Sequence, residues 1–191
     1  MSTIEVLAAS KLAPMYATPL AATYTLYPHD LDAATLAAAA PRIRAIAASG
    51  ESKVSAALIN SLPALELISV MGVGYDGIDV AAAKARGVVV THTPDVLNDE
   101  VADTAIGLML SVARQLPAAD RHVRAGLWPK GPLPLSRKMS GARLGLVGMG
   151  RIAKAIAQRA QAFGMSIAYT ARSAKADLPF AFHEKIGRAH V

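Results

Sequence analysis

The sequence predicts an α/β protein in which strands of parallel sheet alternate with helices, first in one lobe and then in a second. Three observations predict it. Apolar runs of four to six residues recur along the first hundred positions, separated by helical segments and short Gly or Pro punctuation. A further strand–helix–strand unit over residues 143–170 is joined by a glycine-rich turn. The composition, 53% apolar and 18% charged over 191 residues, suffices for a sizeable core.

The elements of the first lobe read in order. Ile4–Ala9 is a buried strand, Lys11–Ala22 a weak helix and Thr23–Tyr27 a strand. Asp32–Ala40 is an Ala-rich helix stopped by Pro41, and Arg42–Ser49 is a strand that runs out into Gly50, Glu51 and Ser52. Lys53–Ser61 is a helix, Leu65–Met71 a strand, Val80–Arg86 a helix and Val88–Thr91 a short strand. This is the pattern of a parallel sheet covered on both faces, and such sheets bind ligands at the carboxyl ends of their strands. Three loops are expected to meet there: Ser49–Ser52, Gly72–Gly77 and Thr91–Asn98.

A long helix follows. Val101, Ala105, Leu108 and Val112 are spaced as one apolar stripe, Asn98 or Asp99 can cap it, and Glu100 and Asp103 suit the positive end of its dipole. The pattern carries it to about Leu116, with a helical piece over Ala118–Ala125 beyond Pro117. Gly126–Pro134 then holds five Gly and Pro breakers around Trp128 within nine residues, and reads as an ordered arm.

The sharpest local motif is Gly148-Met149-Gly150-Arg151-Ile152-Ala153. It follows the strand Arg143–Val147 and opens a helix over Arg151–Phe163, with Ile152, Ile156 and Phe163 on one side. Gly164 closes that helix before a strand over Met165–Thr170. This is the dinucleotide fingerprint G-x-G-x-x-G/A in its required context. Gly148 permits the tight turn, Gly150 admits a pyrophosphate to the backbone, and small Ala153 lets helix pack on strand. The N–H groups opening the helix at Arg151 and Ile152 face the phosphates. An enzyme that prefers NAD carries an acid at the end of the second strand. Here that end reads Tyr169-Thr170-Ala171-Arg172-Ser173, with no acid before Asp177. Arg172 and Ser173 suit a 2′-phosphate, the alternative being an arginine that simply faces solvent. The cofactor expected is NADP(H), with NAD(H) as the alternative.

Composition excludes several classes. Alanine fills 40 positions and accounts for most of the mean hydropathy of +0.33, while no apolar stretch approaches transmembrane length. Met1–Val6 lacks a basic leader, and the absence of cysteine removes disulfides, thiol nucleophiles and cysteine-based zinc sites. A cytoplasmic protein with no membrane partner is expected. Residues 1–120 hold 7 Lys and Arg against 12 Asp and Glu, whereas residues 121–176 hold 11 and none. The basic residues are scattered and aromatics few, so the charge points to an anionic small ligand and not to nucleic acid.

Three segments together carry a resemblance. Val73-Gly74-Tyr75-Asp76-Gly77-Ile78-Asp79, the helix around Val101–Leu110 and the Gly148–Ala153 turn resemble, in order and spacing, the D-isomer-specific 2-hydroxyacid dehydrogenases. Arg124-Ala125-Gly126, Trp128-Pro129 and Ala171-Arg172-Ser173 look most like their glyoxylate/hydroxypyruvate reductase branch. The resemblance covers residues 1–183. It implies a flavodoxin-like substrate lobe followed by a Rossmann NAD(P)-binding lobe, with a cleft between them. It implies reduction of a small 2-keto acid to the D-2-hydroxy acid. The backbone around Val73 and Gly74, with Ser49 and Gly50, would bind the substrate. Taken alone, that segment reads as a turn entering a helix. Thr104 would lie near the nicotinamide, or else face solvent. Trp128 would sit on a dimerisation arm, Gly126–Pro134, of a homodimer, or serve as its apolar anchor.

The catalytic Arg, Glu and His implied by the resemblance belong to segments after the second strand of the nucleotide lobe, so none is expected in this sequence. His29, His92, His122, His183 and His190 lie outside the family's histidine context, and His92 reads as a polar loop residue. The expected organisation is residues 1–98 as the N-terminal part of the substrate lobe and 99–184 as the first half of the nucleotide lobe, with two strands. Residues 185–191 break the pattern. Ile186–Val191 is what one frame of a common sequencing-adapter oligonucleotide encodes, so this stretch is set aside as a non-native tail. Such a fragment is expected to be inactive alone. The rival reading is a non-catalytic dinucleotide-sensing module of corepressor type.

Overall fold

The computed structural model describes residues 3–184, and the segment set aside as a tail lies outside the described residues. The chain divides into a first unit ending at Val96 and a second beginning at Leu97. The first runs β1 (Glu5–Ala8), α1 (Pro14–Thr23), β2 (Thr25–Tyr27), α2 (Ala33–Ala39), β3 (Ile43–Ser49), α3 (Ala56–Ser61), β4 (Leu67–Met71), α4 (Val80–Ala85) and β5 (Val89–Thr91). All five strands are parallel, in the order β2-β1-β3-β4-β5. This is the flavodoxin-like order, whose direction of winding switches between β1 and β3.

The two faces of this sheet differ. Strand alternation sends Leu7, Ile46, Ala48, Ile68 and Val70 to one face, where they close with Ile59, Leu62 and Ala83 into a fully buried core. The other set, Val6, Ala45, Ala47, Leu67 and Ser69, lies under Tyr16, Leu20 and Tyr24 of the α1 segment around a hollow of about 310 Å³. Both faces are covered, as expected, but unequally. Helix α1 buries no side chain completely, because its apolar residues are not striped and Pro19 inside it lacks the N–H of a helix bond.

Capping sets the helix starts. Asp32 Oδ1 accepts from Thr35 N at 2.9 Å, Ser55 Oγ from Leu58 N at 3.3 Å and Asp79 Oδ1 from Ala82 N at 2.9 Å. Lys53 and Val54, expected inside a helix, lie before the Ser55 cap, and Val54 instead forms a parallel bridge with Ile78. Arg86, just past α4, donates to the carbonyls of Ile59, Leu62 and Pro63 and so ties down the end of α3.

The second unit runs α5 (Asn98–Ala113), α6 (Leu116–Arg124), a 3-10 turn (Trp128–Lys130), β6 (Arg143–Val147), α7 (Arg151–Gln161), β7 (Ser166–Thr170) and β8 (Ala181–Phe182). Its strands are parallel in the order β6-β7-β8. The third strand corrects the expectation of two. Only two residues pair, Ala181 with Ala168 and Phe182 with Tyr169, too short a run to stand out behind Pro179.

The apolar stripe of α5 is not the side that packs on α7. Leu108 and Val112 are 61% and 79% exposed, whereas Ala102 is buried and Ile106 packs against the cluster of Ala157, Ala160 and Ile167. The side of α5 toward α7 is thus Asp99, Ala102, Asp103 and Ile106, one helical stripe held by Arg159 of α7. Its Nε donates to Asp103 at 2.5 Å and an Nη to Asp99 at 3.0 Å. Those two carboxylates raise the Arg159 pKa above its ordinary value. Ile152 and Ile156 of α7, and Phe163 just beyond its end at Gln161, are half-buried, and the alanines do the close packing. Helix α5 has Leu97 at its N-cap, one residue before the Asn98 or Asp99 expected there, and the Leu97 side chain makes no capping bond. It ends three residues early because Gln115 turns left-handed at φ 52°, and Pro117 then sits in the first turn of α6.

Arg86 generates the stability prediction of the fold. Arg86→Met keeps the apolar stem and removes three charge-assisted bonds. It should lower stability by about 1.5–3 kcal/mol in urea unfolding followed by circular dichroism. Lys84→Met, on the exposed side of α4, should change it by less than about 0.5 kcal/mol.

Candidate functional site

Two strand-end constellations carry the sequence-expected residues, one in each unit. In the first unit, β3 leaves through Ser49–Ser52 and β4 through Gly72–Gly77. Val54 N donates to the Gly77 carbonyl and Asp79 N to the Val54 carbonyl, both at 2.9 Å, so the two exits run side by side. A Cβ on Gly77 would strike the Ser52 carbonyl oxygen, and one on Gly72 would come within 3.2 Å of Gly50 N. The loops therefore meet backbone against backbone, with Gly50 beside Gly74.

Hydroxyls complete this edge. Ser10, leaving β1, places its Oγ 2.6 Å from Ser52 Oγ and 3.3 Å from Ser49 Oγ. Ser52 is buried, and its Oγ also accepts from Ser49 N at 2.8 Å. These contacts join the exits of β1 and β3, where a doubly wound sheet forms its crevice. His92, directly after β5, sets its Nδ1 2.9 Å from the Val73 carbonyl oxygen, and its ring meets that of Tyr75 edge-on at 4.7 Å. Ser49, Gly50, Val73 and Gly74 are thus brought together. Sequence reasoning missed Ser10 and Ser52 as partners and read His92 as a polar loop residue. The available signal was position: Ser10 and His92 each stand just past the carboxyl end of a parallel strand.

In the second unit, β6 and β7 end in register at Val147 and Thr170. Gly148 N donates to the Thr170 carbonyl at 2.8 Å, and Gly148 takes a φ of +93° that favours glycine. Gly150 stands at the N-cap of α7 and has no side chain to cap it, and no acid lies in the first turn. A Cβ on Gly150 would meet nothing within 4 Å, which leaves open space at that residue. A helix N-terminus that begins on such a glycine fits a pyrophosphate. Past β7, Lys175 N donates to the buried Tyr169 Oη at 2.7 Å and curls the loop back over the strand. Arg172 and Ser173 are exposed on that loop. Asp177, the first acid after β7, is engaged by Lys154 at 2.9 Å, which lowers its carboxyl pKa below the usual value. Gly148, Gly150, Arg151, Ile152, Arg172 and Ser173 thus gather at the ends of two adjacent strands. Thr104 is exposed on α5, and no hydrogen bond ties it to this group among the described residues. Trp128 is 63% exposed, and the arm that carries it is pinned by His122 Nε2, 3.1 Å from the Gly131 carbonyl.

A family model for the catalytic domain of D-isomer specific 2-hydroxyacid dehydrogenases matches residues 6–180. The chain belongs to this family. It has 43% identity over 151 residues to hydroxyphenylpyruvate reductase of Plectranthus scutellarioides, covering 79% of this chain and 48% of the relative. It has 44% identity over 144 residues to glyoxylate/hydroxypyruvate reductase A of Arabidopsis thaliana, covering 75% and 46%. A solved NADPH-dependent glyoxylate/hydroxypyruvate reductase from Sinorhizobium meliloti, in complex with citrate, superposes at a TM-score of 0.84. That match has 44% identity and covers 97% of this chain and 58% of the other. The chain spans about half the length of the curated relatives it matches. No helix among the described residues is long and apolar enough to cross a membrane.

The backbone contact at the first constellation yields a differential prediction. Gly77→Ala should destabilise the first unit by about 1–3 kcal/mol or more through overpacking, while Gly74→Ala, whose Cβ meets nothing within 4 Å, should fold normally. Amide exchange in β3 and β4 reads the difference.

Proposed function

We propose that this chain supplies the substrate-carboxylate loops and the phosphate turn of an NADPH-dependent reductase that converts glyoxylate to its achiral 2-hydroxy acid or hydroxypyruvate to its D-2-hydroxy acid. One observation carries the reading: a glycine turn opens onto a helix whose N-cap is Gly150, and the adjacent strand runs out into Arg172 and Ser173 where an acid would select NAD. In this reading residues 1–98 belong to the substrate lobe and residues 99–184 to the nucleotide lobe. Gly148, Gly150, Arg151 and Ile152 hold the pyrophosphate. Arg172 and Ser173 bind the 2′-phosphate, Arg172 through its planar fork of donors. Thr104 borders the nicotinamide. Bound there, NADPH supplies the hydride.

Val73, Gly74, Ser49 and Gly50 bind the 2-keto acid. Backbone N–H groups aimed at a carboxylate act as fixed dipoles that need no reorganisation when the substrate arrives. The exposed Trp128 and Leu135 on and beside the Gly126–Pro134 arm suit a homodimer contact. The matched relatives described above are named as reductases, which favours an enzyme over a dinucleotide sensor.

Calorimetric titration of the chain with each nucleotide tests the reading. NADPH should bind more tightly than NADH by about 1–3 kcal/mol, the range of charge-assisted bonds, and Arg172→Asp should reverse the preference. Equal affinities in the unmodified chain would sink the NADPH assignment. Gly150→Val should abolish nucleotide binding and leave the fold intact, because the open space before the helix would be filled. Normal NADPH binding by this variant would remove the phosphate turn from the site.

A further inference from the structure

We propose that His92 is a positioning residue for the carboxylate-binding backbone at Val73 and Gly74. The proposal rests on the functional reading of that loop given above.

The argument starts from the peptide unit. The Val73 carbonyl and the Gly74 N–H belong to one planar trans amide, so they point in opposite directions. A contact that fixes the carbonyl oxygen also fixes where the N–H aims. His92 makes that contact: its Nδ1 lies 2.9 Å from the Val73 oxygen. A carbonyl oxygen only accepts, so Nδ1 carries the hydrogen in this arrangement. The neighbouring peptide is held in the same way. Thr93 N donates to the Gly72 carbonyl at 2.9 Å, and that carbonyl shares its amide plane with the Val73 N–H.

Residues 92 and 93 therefore grip two consecutive carbonyls of the β4 exit. The two N–H groups on those same amides, of Val73 and Gly74, donate to no described residue. A pair of adjacent backbone donors is left open, with its direction set from behind. Hydrogen bonding to a peptide carbonyl also polarises the amide and strengthens its N–H as a donor.

The ring of His92 adds a second hold. It meets Tyr75 edge-on at 4.7 Å, and Tyr75 follows Gly74 directly. The imidazole thus braces the residues on both sides of Gly74. Gly74 itself has no side chain to pack, and a Cβ there would touch nothing within 4 Å. Without the imidazole, the backbone at this point is held only through Gly72 on one side and the turn at Tyr75 and Ile78 on the other.

The geometry makes a specific demand on the side chain at position 92. It needs a donor at the place of Nδ1, one bond beyond Cγ. Asparagine presents its amide nitrogen there. Glutamine presents its nitrogen one atom further out, at the place of Nε2, and alanine presents none.

The test uses the 191-residue chain and its His92→Ala, His92→Asn and His92→Gln variants. Amide spectra report folding, hydroxypyruvate is the titrant, and the Val73 and Gly74 amide chemical shifts are read in the free chain. The Ala and Gln variants should bind hydroxypyruvate about fivefold to tenfold more weakly, with amide shift changes confined to the loop around Val73 and Gly74. The Asn variant should bind within about twofold of the unmodified chain and keep its Val73 and Gly74 shifts. That rescue pattern separates a donor that aims the loop from a ring that only fills space. If His92→Ala fails to fold, the Asn and Gln pair decides. Undiminished binding in His92→Ala or His92→Gln, or a loss in His92→Asn equal to that of His92→Gln, overturns the proposal while leaving the function of the loop standing. If hydroxypyruvate does not move the Val73 and Gly74 amides of the unmodified chain, the carboxylate reading falls, and this proposal falls with it.

Discussion

The approach of the Ser52 carbonyl to Gly77 constrains the first unit more than any other contact. No side chain fits between them, and the paired bonds between Val54 and the Gly77–Asp79 strand segment hold the two exits at backbone distance. Everything proposed for this edge depends on that distance. Gly50 lies against Gly72 and Gly74 only because the loops after β3 and β4 touch, and the Ser10–Ser49–Ser52 hydroxyls meet only because Ser52 is carried inward beneath β1. Tight backbone packing of this kind suits a small carboxylate ligand, since it presents N–H groups and leaves no room for flexible side chains to compete for them.

The second unit is built with less material. Its buried cluster is Ala157, Ala160 and Ile167, backed by half-buried Ile106, Leu144, Leu146, Met165 and Phe180. Alanines allow α7 to lie close to its neighbours but bury little area each. The Arg159 fork, reaching two carboxylates one turn apart on α5, fixes the pairing of α5 with α7 in a way that alanine contacts alone do not. That pairing sets α7, and α7 sets the direction of the open N-terminus that follows Gly150. The glycine turn is thus aimed by an ion-paired helix pair and by the Gly148–Thr170 bond between two strand ends.

Much of this was legible in the sequence because it rests on local rules. Apolar runs with glycine and proline punctuation locate nearly every strand and helix, and a Gly148-x-Gly150 turn between a strand and a helix announces its geometry without reference to the rest of the chain. The absence of an acid before Asp177 is likewise a fact of the linear sequence. What failed were inferences that needed a partner. The Val101–Leu108–Val112 stripe looks like a core face by spacing, yet α5 turns its alanine and aspartate side toward α7, because Arg159 sits there to receive it. Strand β8 is two residues long and exists only through its pairing with β7.

By itself, then, the sequence determined the α/β class, the order of its elements and the glycine turns. Those follow from backbone propensity and side-chain periodicity, which act within a few residues. The tertiary structure alone decided which faces are dense, how Asp177 is consumed by Lys154, and that Ser10, Ser52 and His92 converge on the loops after β3 and β4. His92 shows why. It is 19 residues from Val73 along the chain, and only the parallel pairing of β4 with β5 brings both strand ends to the same edge, where an imidazole nitrogen can reach a carbonyl.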